Sequence, residues 1–194
     1  MTAGAIFYFD FNSPYAYLAA ARIDGLIPEA EWRPIAFAIL LNQTGRLESA
    51  MARDTAPVVE EVGVRLAERG MPALNPPPGW PIESWSLVPL RAALVAADSG
   101  RVREFSEAAF RNMFVEGRSL GELDTVLAIA REAGLDAAEV EGAVQRPEIK
   151  QRLKNNTEEA LARGVTGIPT VAIGDELFWG DDRLEEAAAA ASRQ

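Results

Sequence analysis

Residues Ile6 to Phe11 are apolar apart from Asp10, and they run straight into Asn12-Ser13-Pro14-Tyr15. A short apolar run of this kind suits a strand buried on both faces, which has to lie inside a covered sheet. Ser13 then reads as an N-cap and Pro14 as the first helical residue, where a missing N–H costs nothing. The alanine-rich helix that follows runs from Tyr15 to about Leu26. Its first turn aims unpaired N–H groups and a partial positive charge past Ser13, so an anion such as a thiolate suits that place. A capping role by itself also accounts for Ser13 and Pro14.

The rest of the chain is organised in blocks. Glu31 to Phe37 reads as a second strand, and Asn42 to Arg46 has turn chemistry. Met51 to Arg69 reads as one helix, with Val58, Val59, Val62, Leu66 and Arg69 near one another, closed by Gly70 and Pro72. Pro72 to Pro81 holds five prolines and Trp80, a rigid extended loop. Helical patterns then cover Trp85–Ala97, Val102–Glu116, Gly121–Ala133, Ala137–Val144 and Pro147–Arg163. After the loop Gly164 to Thr170 come two short strands, Val171–Gly174 and Glu176–Trp179, about a Gly174-Asp175 turn, and a closing helix, Asp182–Ala191. The order is β-α-β, a helical block, then helix, β-β and α. A helical insertion within one α/β unit explains this order better than two consecutive domains. A ligand belongs in the cleft between them.

Composition narrows the chemistry. A formal charge of -10 argues against a nucleic-acid partner, which needs a basic face. No apolar run approaches a membrane span and no secretory leader is evident, so no membrane partner is expected and the expected location is cytoplasmic. The chain has no cysteine and no histidine. That excludes disulfide exchange by this chain alone, a cysteine nucleophile, a Ser-His-Asp triad and the usual zinc ligands, so no metal site is expected. Hydroxyls, carboxylates, cations, backbone dipoles or a borrowed reagent have to supply any catalysis.

Three segments resemble signatures of one family. They are Phe9 to Tyr15, Gly164 to Thr170, and Phe178-Trp179-Gly180-Asp181-Asp182-Arg183-Leu184-Glu185. Together they are similar to the 2-hydroxychromene-2-carboxylate isomerases, relatives of kappa-class glutathione transferases and of DsbA-like proteins. The likeness spans essentially the whole chain. It implies an α/β, thioredoxin-like fold with a large all-helical insertion. Residues 1–38 and 165–194, with the helix 147–164, would form the thioredoxin-like domain, and 39–146 the inserted helical domain. It also implies a cis peptide before Pro169, glutathione or another low-molecular-weight thiol as cofactor, a small-molecule substrate, and a homodimer.

Residue by residue, the resemblance puts Ser13 where redox relatives carry their attacking cysteine, as the catalytic group at the thiol sulfur. Ile168 and Pro169 match the segment that pairs with the peptide part of glutathione. Trp179, Gly180, Asp181 and Asp182 match the segment that holds its γ-glutamyl end, with the two aspartates as acceptors from the ammonium group. A helix cap with acidic first-turn residues is an equally good reading of the aspartates.

Departures fall in the middle of the chain. Where the family usually has an asparagine after a glycine and then a lysine, this sequence has Thr44-Gly45-Arg46, with no lysine from Leu47 to Val64. Arg46 or Arg53 is then the candidate for holding a substrate carboxylate. Trp85-Ser86 stands where many relatives have asparagine followed by serine or threonine. Trp85 reads either as the wall of a pocket for a flat substrate or as packing under the proline-rich loop. The expected activity is thiol-dependent isomerisation of an unsaturated aromatic keto acid, interconverting 2-hydroxychromene-2-carboxylate and trans-o-hydroxybenzylidenepyruvate or a related pair from aromatic catabolism. A kappa-like glutathione transferase and a non-catalytic thioredoxin-fold binder are the alternatives.

Overall fold

The computed structural model describes residues 4–193; residues 1–3 and 194, the outer limits of the expected thioredoxin-like domain, lie outside the described residues. β1 (Ile6–Phe9) is the central strand. It pairs in parallel with β2 (Glu31–Pro34) and antiparallel with β3 (Thr170–Ile173). β3 pairs antiparallel with β4 (Glu176–Trp179), giving the order β2-β1-β3-β4. All four β1 side chains are buried, as a doubly covered strand requires. Phe7 and Phe9 face α1 (Pro14–Leu26) and the helical block, while Ile6 and Tyr8 face a smaller cluster with Ile35, Leu40, Ala160 and Ile168.

The helices between β2 and β3 are α2 (Phe37–Gln43), α3 (Leu47–Met51), α4 (Ala56–Glu68), α5 (Leu87–Asp98), α6 (Val102–Phe114), α7 (Leu123–Glu132), α8 (Ala137–Ala143) and α9 (Pro147–Ala162). A short turn of 3-10 helix (Asp181–Arg183) leads into α10 (Leu184–Ala191). One contiguous apolar core runs from β1 and α1 through α5, α6 and α7. Phe110 stands at its centre, with ring centroids 5.1 Å from Phe11, 6.0 Å from Phe9 and 6.1 Å from Tyr17.

Three boundaries differ from the sequence reading, each for a local reason. β1 stops at Phe9, not Phe11, because the Asp10 carboxylate turns back to accept from Asn12 N at 3.0 Å. β2 stops at Pro34, not Phe37. The N–H groups of Glu31 and Ile35 donate to Ala5 O and Phe9 O, so the nitrogen of Pro34 points outward on an edge strand, where its missing proton is tolerated. Beyond it, Thr157 Oγ1 accepts from Ala36 N and Asp10 Oδ2 accepts from Phe37 N. These side chains replace ladder partners and start α2. The expected helix Met51–Arg69 begins only at Ala56, as α4, while Met51 is the last residue of α3. Pro57 lies in the first turn of α4, where it cannot continue a preceding helix, and Asp54 Oδ1 accepts from Ala56 N at 3.0 Å.

The end of α9 delivers the chain to the sheet. Gly164 has φ +88, with Val165 N donating to Ala160 O and Gly164 N to Leu161 O, a glycine-terminated Schellman arrangement. Replacing Phe110 by alanine is expected to cost about 3–5 kcal/mol, because the surrounding rings cannot collapse into the space. Urea unfolding of wild type and variant measures this directly.

Candidate functional site

The strand register collects the candidate residues at one end of the sheet. Tyr8 pairs with Thr170, and Thr170 pairs with Trp179. The loop after β1, the residues before β3 and the residues after β4 therefore share a rim. Gly180 N donates to Pro169 O at 2.9 Å, which fixes the last two together. The Ile168-Pro169 peptide is cis, as the resemblance implied.

Ser13 is the N-cap of α1. Its Oγ accepts from Ala16 N at 3.2 Å, and its N–H donates to Asp10 O at 3.2 Å. The hydroxyl proton and the Tyr15 N–H have no partner among the described residues, while Pro14 carries no N–H. Two donors at a positive helix end are thus free at a half-buried position. Ile168 is buried, yet neither its N–H nor its C=O has a hydrogen-bond partner among the described residues. This is the backbone edge that an extended peptide would pair with.

Asp10 lies under the rim. Its carboxyl is buried and accepts from Asn12 N and Phe37 N, and the Ser86 hydroxyl beside it also favours the charged form. Burial outweighs these bonds and holds its pKa above the ordinary carboxylate value. Tyr15, next to Pro14, donates to Glu61 Oε2 at 2.6 Å. Burial first, then Glu61, pushes its pKa up to about 12, so it is a neutral phenol at working pH.

Across the rim, the Trp179 indole covers Gly167; a Cβ there would come within 2.3 Å of Nε1, so any other residue would displace the indole. Trp179 remains 56% exposed. Gly180 has φ +113 and turns the chain into the 3-10 segment. Asp182 is exposed, and its Oδ1 lies close over Gly180. Asp181 is corrected by the structure. It is fully buried, with Oδ1 held by Arg65 and Oδ2 by Arg69 Nη2 at 2.7 Å, so it has no face left for an ammonium group. It anchors α4 instead. The spacing of Arg65 and Arg69, one turn apart on the same face as Val62 and Leu66, was the sequence signal for a buried acidic partner.

The candidate cations differ from each other. Arg46 Nη1 donates to Thr166 O at 2.7 Å and so ties the start of α3 to the loop before Ile168. Arg53 is exposed between α3 and α4, and no hydrogen bond of its side chain reaches the rim among the described residues. Trp85 is 70% exposed, its backbone against Gly121.

A cleft of about 430 Å³ borders the outer edge of β2, where Arg33, Arg103 and Arg152 each face a carboxylate of Glu159, Asp24 and Asp98. No group of three metal-binding side chains occurs among the described residues.

Residues 5–191 match the DSBA-like thioredoxin domain. The chain belongs to this DSBA-like family. Its fold is the DsbA-like thioredoxin fold with a helical insertion. It is similar to a 2-hydroxychromene-2-carboxylate isomerase of Sphingobium xenophagum, 28% identical over 95% of this chain and 96% of that protein. It is also similar to glutathione S-transferase kappa 1 of Homo sapiens, 32% identical over 42% of this chain and 41% of that protein. Among solved structures, a 2-hydroxychromene-2-carboxylate isomerase superposes with a TM-score of 0.84, covering 98% of this chain and 95% of that one at 22% identity. In this DSBA-like chain Ser13 caps the first helix, and with no cysteine the chain cannot exchange disulfides by itself.

Asp10 gives a pH test. Because its folded-state pKa is raised, the folded state holds its proton to higher pH than the unfolded state does. Its contribution to stability therefore falls as pH rises from about 4, the unfolded value, through the raised one. Denaturant unfolding of wild type and Asp10→Asn across this range should show wild type losing stability relative to the variant as pH rises. Parallel curves would contradict the assignment.

Proposed function

We propose that this chain is a glutathione-dependent isomerase acting on an unsaturated aromatic keto acid, with 2-hydroxychromene-2-carboxylate and trans-o-hydroxybenzylidenepyruvate, or a close relative, as the interconverted pair. The carrying observation is the single rim that joins Ser13, Ile168-Pro169 and Gly180–Asp182, in a chain similar end to end to an enzyme of that name. The free hydroxyl proton of Ser13, the free backbone edge of Ile168 and the exposed carboxylate of Asp182 fit a thiol tripeptide.

Glutathione, when bound, would supply a thiolate nucleophile able to add reversibly to the conjugated carbon and so free rotation about the neighbouring bond. The chain's own groups do the rest. Ser13 Oγ–H donates to the sulfur, and the α1 terminus adds its dipole, so the thiol loses its proton more readily. Ile168 holds the peptide portion through its N–H and C=O. Asp182 accepts from the ammonium end, and Trp179 covers one side. Arg46, already on the rim through Thr166, pairs with the substrate carboxylate through its remaining guanidinium donors, with Arg53 as the second candidate. Trp85 packs on the aromatic part.

Conjugation of the thiol to an electrophile is the second reading, favoured by the likeness to the kappa transferase. A product that retains sulfur after one turnover identifies it.

Calorimetry with glutathione, followed by turnover of the enone, tests the proposal on wild type and Ser13→Ala. Wild type should bind glutathione and accelerate isomerisation. A hydrogen bond to a charged group contributes about 1.5–3 kcal/mol, so Ser13→Ala should lose roughly 10- to 100-fold in kcat/KM. Wild type that neither binds the thiol nor turns over the enone would overturn the reading.

A further inference from the structure

Asn12, the residue before Ser13, is held on two sides by the proline-rich loop. Its Nδ2 donates to Pro81 O at 3.0 Å, and its own carbonyl accepts from Trp80 Nε1 at 3.2 Å. The Trp80-Pro81 end of the segment 80–86 is therefore fixed to the loop that carries Ser13. Inside it, Glu83 N donates to Gly79 O at 2.9 Å, and Ser84 is buried with its hydroxyl 3.6 Å from Met113 Sδ. The Trp80 ring meets Phe114 edge-on at 6.0 Å. These ties leave the segment little freedom.

A segment so held still presents two large apolar side chains outward, Ile82 at 55% and Trp85 at 70% exposed. Isolated exposed apolar residues are ordinary. Two on one fixed seven-residue segment beside a free serine hydroxyl and helix terminus make a surface that an apolar ligand would cover. Trp179 exposes a third large apolar side chain on the rim.

We infer that residues 80–86 form a rigid apolar wall that selects aryl over alkyl substrates. Ile82 and Trp85 make the contact, and Asn12 is a positioning residue that sets the distance between that wall and Ser13. This rests on the reading of the Ser13 rim as the active site. It deepens that reading by assigning specificity to Ile82 and Trp85, and alignment to Asn12 and Trp80. Because Asn12 and Ser13 are consecutive and the wall is hydrogen-bonded to the first of them, the wall keeps a fixed place beside Ser13.

The test uses two unreactive saturated keto acids, benzylpyruvate and a straight-chain acid of similar length, with binding followed by calorimetry. Wild type should bind the aryl acid at least about tenfold more tightly, as burial of a ring's extra apolar surface implies. Ile82→Ser and Trp85→Ala should bring the ratio toward one while leaving the straight-chain affinity nearly unchanged. Trp80→Phe keeps the ring and removes the donor. Asn12→Asp puts an oxygen against the Pro81 carbonyl. Both should weaken aryl binding severalfold, with unfolding curves showing that each variant folds. Wild type without aryl preference, or Ile82→Ser and Trp85→Ala that keep it, overturns the inference. Keto-acid binding needs no thiol, so either result is independent of whether glutathione binds.

Discussion

The pairing of Tyr8 with Thr170 joins the two ends of the chain, and the rest of the site follows from it. Without that register, Ser13 and the Ile168-Pro169 peptide belong to unrelated loops. With it, the C-terminal end of β1, the N-terminal end of β3 and the C-terminal end of β4 become one edge. The pairing is fixed by the pleat. A shift of one residue would move Phe7 and Phe9 out of the large core and Ile6 and Tyr8 out of the small one. The hydrophobic effect in the sheet thus sets the geometry of polar groups beyond it.

Those polar groups divide into two kinds. Asp10 and Asp181 are buried and fully engaged, and each joins segments distant in sequence. Asp10 joins the Ser13 loop to the start of α2, and Asp181 joins the turn after β4 to α4. A buried carboxylate is costly to desolvate, so it persists where several donors converge. Ser13, Ile168 and Asp182, by contrast, keep a donor, a backbone edge and an acceptor uncommitted. The committed groups hold the uncommitted ones in place, which is what a site complementary to a reacting ligand requires.

Much of this was legible in the sequence. The strand-to-helix junction at Ser13-Pro14, the glycine-terminated α9 and the β3–β4 hairpin all have local causes. The likeness in three segments led to the fold and the rim. What was not legible depends on contacts between distant residues. The side chains of Thr157 and Asp10, far from Phe37 in sequence, take the backbone N–H groups of Ala36 and Phe37, so the predicted strand stops at Pro34 and α2 starts at Phe37. Asp181 and Asp182 look alike in sequence, and only the position of Arg65 and Arg69 makes one a buried anchor and the other a free acceptor. The reciprocal bonds between Asn12 and Trp80-Pro81 have no sequence signal, because neither residue type in its local setting demands the other.

The central claim is that Ser13 and the start of α1 stabilise a thiolate. Titrating the ultraviolet absorbance of the thiolate against pH, with glutathione bound to wild type and to Ser13→Ala, measures that stabilisation directly. In wild type the bound thiol should titrate below about 8.5, the value of an unperturbed thiol. In Ser13→Ala the midpoint should rise by about one to two pH units, the equivalent of one charge-assisted hydrogen bond. A bound thiol that titrates like free glutathione in the wild-type protein would contradict the account.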